Sequence, residues 1–241
     1  MLYTRQAVQE NIRNRDGKRV FYLGKGHQLT SDARDWLARE RITILPADQA
    51  KPERYALEGG GFMEEKPEHM THLHGNVLVP KTHPRIAFRG AMDTLQAELL
   101  LCIRQADKPW KELLEQALQA ARLVLSWEVM EEPAGEVELG GMSPQQLRDR
   151  SHRPQDYYGQ PHFMPSGQDG QQLLLVNRAR ALARQAELAA ARAFCGEQGV
   201  QRQDLMQVLN RLSSFLYLIM IQMKREMREK NGSAGTDPTG H

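Results

Sequence analysis

Phe88-Arg-Gly-Ala-Met92-Asp-Thr-Leu95-Gln-Ala-Glu-Leu99-Leu-Leu-Cys102 repeats its apolar residues at steps of four and three. Those steps place one apolar stripe along a helix, the pattern of a helix that buries a single face against others. Pro84 stands where a helix would start. A second helix is predicted over about 110–131, with Leu113, Leu114, Ala117, Leu118, Ala121 and Leu125 inward and Pro133 beyond its end. Helices over about 171–195 and 202–229 follow the same logic. Residues 132–170 hold Gly140, Gly141, Pro144, Pro154, Pro161 and Pro165, so they read as a long loop interrupted by a short capped helix at Ser143-Pro144-Gln-Gln-Leu147. The fold class expected is mainly α, an antiparallel four- or five-helix bundle, with a small mixed α/β module ahead of it.

That module occupies 1–57. Val20-Phe21-Tyr22-Leu23 and Ile42-Thr43-Ile44-Leu45 are strand-like, Gly24 and Gly26 turn the chain, and Thr30 caps a helix. Residues 58–83 read as linker and irregular chain, with Gly59-Gly60-Gly61, Pro67 and Pro80, and Pro84 just beyond. The bundle spans 84–229, and 230–241 form a polar tail expected to be disordered.

A net charge of +2 over 241 residues marks neither a general nucleic-acid binder nor a membrane-surface binder. The longest apolar run, 215–221, is too short to span a bilayer, and the N-terminal stretch has no apolar h-region. Cys102 and Cys195 lie in apolar helical stretches and read as buried thiols of a reducing compartment, so the expectation is a cytoplasmic protein. A phosphate-binding Gly-x4-Gly-Lys-Ser/Thr loop is absent, as are Cys-x-x-Cys and a helical Glu-x-x-His. His69, His72, His74 and His83 cluster before the first bundle helix, but their irregular spacing and lack of cysteine partners favour ordinary loop histidines over zinc ligands.

The charged residues on helices carry more. Arg180-x3-Arg184-x2-Glu187 lies on one helical face. A solvated, salt-bridged surface is the ordinary meaning of such a pattern; a polyphosphate pocket is the sharper one, because arginine forks bind phosphate oxygens bidentately. Arg85, Arg89 and Asp93 share another face. Asp93 sits at the edge of the apolar stripe, where a carboxylate usually has a cation on a neighbouring helix, and Arg180 is the natural candidate.

Taken together, Gly90-x2-Asp93-x-Leu95, Arg180-x3-Arg184-x2-Glu187 and Asn210-Arg-Leu-Ser-x-x-Leu-Tyr217 resemble the cobalamin adenosyltransferases of the helical-bundle type, above all the ethanolamine-utilisation branch. Lys81-Thr-His-Pro84-Arg85-Ile-Ala-Phe88-Arg89, Leu147-Arg-Asp-Arg-Ser151-His152-Arg-Pro154-x2-Tyr157 and Leu29-Thr30-Ser31-Asp-Ala33-Arg34 extend the similarity through most of the chain. The resemblance implies transfer of the 5′-deoxyadenosyl group of ATP to Co(I) of a corrinoid, with magnesium carried by ATP and cobalamin as substrate. It implies that Asp93 pairs with Arg180, that Arg184 contacts the triphosphate, that Glu187 is the acid of the same helix, and that Asn210 helps hold ATP and its magnesium. Lys81, Arg85 and Arg89 are further candidate ATP contacts. Tyr157, Phe163, Phe215 and Tyr217, with Met164, are the apolar residues available to displace the lower cobalt ligand.

The implied partners are ATP and the corrinoid, a reductase, an ammonia-lyase or microcompartment proteins, and further copies of the chain, often three. Neither nucleic acid nor membrane is implied, and a bacterial microcompartment is the implied setting. A non-catalytic ATP-binding sensor or docking module is the competing reading. Three departures stand out. The Thr-Lys-x-Gly-Asp start of another branch is absent, leaving Thr71, His72, Lys81 and Arg85 to take over; the cysteine-rich metal motif of some ethanolamine-branch members has no counterpart, so no structural iron or zinc is expected; and Ser214 stands where the family usually has Asp.

Overall fold

The computed structural model describes residues 2–15, 18–49, 54–196 and 199–233. It is mostly helical, with eight helices among the described residues: α1 (Arg5–Gln9), α2 (Ser31–Arg39), α3 (Pro84–Gln105), α4 (Trp110–Val129), α5 (Pro144–His152), α6 (Pro154–Tyr158), α7 (Gln171–Phe194) and α8 (Gln203–Ser233). The chain divides into two compact units, residues 1–55 with 62–65, and residues 56–61 with 66–241.

In the first unit, Lys18–Leu23 pairs antiparallel with Ile12–Arg15 and parallel with Thr43–Pro46. A parallel pair needs a crossover, and α2 provides it. The Thr30 side chain accepts from the Ala33 amide and starts α2, as its position before Ser-Asp-Ala suggests. Phe21, Leu29, Ala33, Trp36, Leu37 and Ile42 form this unit's core with Val8.

The second unit begins with an element the sequence reading expects to be irregular. Met70–His74 and Val77–Pro80 form an antiparallel hairpin, and Ala56 and Leu57 pair in parallel with Val77 and Leu78. Met70, Leu73, Leu78 and Val79 are buried, so a short apolar pattern holds these strands despite the flanking prolines. Gly75 turns between them at φ +48°, where a Cβ would be strained.

The bundle helices fall where the periodicity puts them. Phe88, Met92, Leu95, Leu99 and Cys102 are all buried, as are Leu114, Ala117, Leu118, Ala121 and Val124 of α4, whereas Leu113 and Leu125 are only half-buried. Packing joins α3 to α4 and α7, α7 to α8, and α8 to α4. One core runs through these four helices and takes in Cys102, whereas Cys195, expected to be buried, lies just past the end of α7 and is exposed.

Between α4 and α7, Ser143 caps α5 in a reciprocal capping box with Gln146. That helix extends to His152, α6 follows it, and both pack on α8. The strap after α6, residues 159–170, is fastened to α8 by Arg228 donating to Gln160, by Tyr217 with His162, and by Lys224 with Asp169. The last helix is longer than expected: 230–233, assigned to the tail, are helical, and 234–241 lie outside the described residues.

Candidate active site

A cavity of about 360 Å³ opens where α7, α8, the end of α5 and the strap meet. Arg180 and Arg184 reach it from α7, Ser213, Ser214 and Tyr217 from α8, and Ser151, His152 and His162 from the far side. The step of four that puts both arginines on one face therefore puts both at one cavity.

No carboxylate forms an ion pair with them among the described residues. Among the described residues Arg184 has no hydrogen-bond or ion-pair partner, and Arg180 donates only to the Asn177 side-chain oxygen, at 3.3 and 3.4 Å. The Arg180 guanidinium lies over the Tyr217 ring, 5.7 Å from its centroid. Burial, and next the neighbouring charge of Arg184, push Arg180 below the usual arginine range. Burial and then the charge of Arg148 act the same way on Arg211, one position after Asn210, against the attraction of Glu187. Two guanidinia without an ion-pair partner beside a cavity are the arrangement that binds a polyanion.

Beside the arginines, Asn210 donates to Glu187 at 3.0 Å, so the acid and amide singled out from sequence meet across α7 and α8. Ser213 and Ser214 both donate to the Asn210 carbonyl, at 2.9 and 3.1 Å. Ser214 is thus turned onto its own helix and brings no charge to the cavity.

Other sequence candidates lie elsewhere. Arg85 and Arg89 are half-buried and converge on Glu128 of α4, which is fully buried: each Nε donates to one carboxylate oxygen at 2.6 Å. Arg85 also donates to Glu131 and to the Glu128 carbonyl, and Arg89 to the Leu73 carbonyl at 2.8 Å. Sharing a face with Asp93, neither arginine pairs with it, because their carboxylate sits on another helix. Asp93 is exposed and makes no ion pair with Arg180 within the described residues. Lys81 pairs with Glu68 at 2.7 Å on the surface.

Of the aromatic candidates, Phe215 is buried in the bundle core against Gly140 and does not reach the cavity. Tyr217 does line it, and Phe163 stacks on Tyr217 at 6.5 Å without lining the cavity itself. Tyr157 is exposed near Arg150 and Arg153, and Met164 is 89% exposed. Among the loop histidines, His83 accepts from the Arg85 amide to start α3 and its Nε2 lies 3.1 Å from Glu58. No three His, Cys, Asp or Glu side chains converge to hold a metal among the described residues.

Sequence reasoning missed Ser151, His152, His162 and Glu128. Glu128 carried a signal: it falls four residues after Val124, on the buried stripe of α4, where an acid needs a partner. Ser151 and His152 stand in the loop motif that carries the resemblance, whereas His162 carried no signal, since it meets Tyr217 across 55 positions.

The profile of the cobalamin adenosyltransferase family matches residues 62–223, and the chain belongs to that family. It is 32% identical over 158 residues to the corrinoid adenosyltransferase EutT of Escherichia coli (strain K12), and 31% identical to EutT of Salmonella typhimurium (strain LT2). Those matches take in 65% of this chain and 59% of the relatives, so the chain spans less than two thirds of their length. Among solved structures, a variant PduO-type ATP:corrinoid adenosyltransferase from Lactobacillus reuteri, complexed with cobalamin and ATP, superposes with a TM-score of 0.51 at 17% identity. It covers 67% of this chain and 91% of that one, a likeness of fold. No helix among the described residues is long and apolar enough to cross a membrane.

Proposed function

We propose that this chain transfers the 5′-deoxyadenosyl group of ATP to Co(I) of a corrinoid in the service of ethanolamine utilisation. The observation that carries the reading is the pair Arg180 and Arg184, set side by side at a cavity with no ion-pair partner among the described residues. The cobalt–carbon bond forms as the C5′–oxygen bond breaks, and the electron pair leaves on the phosphate chain. Fixed guanidinia stabilise the charge that develops there, and no general base is required.

Arg184 and Arg180 take the triphosphate, with Glu187 and Asn210 beside them. One carboxylate and one amide are too few to hold a hard cation alone, so magnesium arrives on ATP and keeps its waters. Lys81 is a further phosphate contact, released from Glu68. Tyr157 and Phe163 offer apolar surface to the corrinoid. The four long helices run antiparallel, and the chain acts as a cytoplasmic homo-oligomer, a trimer in this reading, with nucleotide between subunits. A reductase, a lyase or a microcompartment shell would be its neighbours.

An anaerobic assay with MgATP and chemically reduced cobalamin tests this. Formation of a light-sensitive alkylcobalamin, lost in a folded Arg184→Ala variant, is the expected result. MgATP binding without any transfer would refute the activity, and a wild-type rate in Arg184→Ala would refute the site.

A further inference from the structure

The cavity wall formed by Tyr217 is held by two residues. His162 Nε2 lies 3.2 Å from the His152 carbonyl, which can only accept, so Nε2 carries the proton. Nδ1 is then the acceptor, and the Tyr217 hydroxyl donates to it at 2.8 Å. The two rings stack at 5.7 Å and 11°. The guanidinium of Arg180 also lies over the Tyr217 ring. Burial pushes the Tyr217 phenol up, against the opposing pulls of the Phe163 backbone amide and Arg180, so it stays a donor.

This arrangement answers an electrostatic problem. Arg180 and Arg184 repel each other, and a carboxylate that fixed Arg180 would also cancel its field at the cavity. An aromatic face attracts a cation without neutralising it. A phenol that donates its proton into a hydrogen bond has a more electron-rich ring, so His162 strengthens the platform as well as orienting it.

We propose that His162 is a positioning residue acting through Tyr217 on Arg180, and that this aromatic pair serves the polyphosphate end of the nucleotide, not the corrinoid. The inference rests on the nucleotide site proposed above and reassigns Tyr217 within it. His162 is also one of three anchors of the strap, and the control is an anchor remote from the cavity, Arg228 with Gln160.

The test is MgATP affinity by titration calorimetry without corrinoid, alongside the KM for reduced cobalamin, on the full chain. Each variant is first checked for wild-type helicity and a cooperative melt. His162→Ala and Tyr217→Phe each weaken MgATP binding about fivefold, the loss of one hydrogen bond, and the double variant is no weaker than either single one. Tyr217→Leu, which removes the platform, weakens it further. The corrinoid KM stays within about twofold and so does MgATP affinity in Arg228→Ala, since neither group touches Arg180.

Unchanged MgATP affinity in His162→Ala overturns the inference. So does a shift confined to the corrinoid KM, or an equal loss in Arg228→Ala. A wild-type chain that binds MgATP but transfers nothing overturns the activity and leaves the affinity comparison to decide the role of His162. A wild-type chain that does not bind MgATP overturns both.

Discussion

Replacing Glu128 by glutamine keeps the shape of the side chain and removes its charge, which isolates what that carboxylate does for Arg85 and Arg89. It is fully buried and takes hydrogen bonds at 2.6, 2.6 and 3.3 Å from the two guanidinia, which are themselves mostly shielded from water. Glu128→Gln leaves two half-buried cations facing an amide that can accept from only one of them well. Their remaining bonds to Glu131, the Glu128 carbonyl and the Leu73 carbonyl survive. Breaking a buried ion pair by removing one partner costs about 3–5 kcal/mol, and the surviving bonds put this case near the lower end, about 3 kcal/mol. For a chain of this size each kcal/mol moves the melting temperature by roughly 2–4 °C, so the expected drop is about 6–12 °C. Urea unfolding and calorimetry read it directly. The triple replacement of Glu128, Arg85 and Arg89 by apolar residues of similar volume recovers most of the loss, because no charge is then left unpaired. MgATP affinity separates this clasp from the phosphate-contact role that the sequence suggests for Arg85 and Arg89. Freed arginines serving ATP would bind it more tightly in Glu128→Gln, whereas a structural clasp leaves affinity unchanged in the folded protein. A stability loss below about 1 kcal/mol, or a gain in MgATP affinity, refutes the clasp.

Three further outcomes follow from other parts of the molecule. Burial, and next Glu98, push the Cys102 thiol up to about 12, so its thiolate fraction at pH 8 is about 10⁻⁴; a thiol reagent modifies exposed Cys195 rapidly and Cys102 only after unfolding, with tryptic mapping as the check. The Lys224 side chain, and next the Ser166 backbone amide, hold the Asp169 carboxyl below the usual carboxylate range. A depressed folded pKa gives stability that is present above about pH 4 and is lost as pH falls through the folded value, so Asp169→Asn removes that part of the acid dependence in urea titrations between pH 2 and 6. Gly140 adopts φ +62°, and a Cβ there would stand 2.9 Å from the buried Phe215 ring; Gly140→Ala destabilises by about 1–3 kcal/mol in the same unfolding assay.

Apolar periodicity made the bundle legible because Phe88 through Cys102 repeat a helical step that only burial explains, and Thr30 and Ser143 announced their helices by the cap chemistry itself. The hairpin of Met70–His74 and Val77–Pro80 was not legible. Its strands are short, interrupted by histidines, and bracketed by prolines that locally argue for irregular chain; what decides them is burial of Leu73 and Leu78, which no window of sequence contains. Counting only apolar residues along a stripe also hid Glu98 and Glu128, which occupy stripe positions because Arg178, Arg85 and Arg89 meet them from other elements.

The chain contains the same local pattern twice, Arg85-x3-Arg89 on α3 and Arg180-x3-Arg184 on α7, and spacing cannot tell the two apart. Each puts a pair of guanidinia on one helical face. Their fates diverge through what the facing segments contribute. Toward Arg85 and Arg89, α4 presents a buried carboxylate that consumes both cations and ties α3 to α4 and, through the Leu73 carbonyl, to the hairpin. Toward Arg180 and Arg184, α8 presents two serines bonded to their own helix and a tyrosine whose hydroxyl is turned to His162, so the charge stays available at the cavity. A cation pair becomes structural or functional according to whether its neighbour can neutralise it. In this chain that choice is written in Glu128 on one side and in Ser214 and Tyr217 on the other, 39 and 30 or more positions away from the arginines they govern.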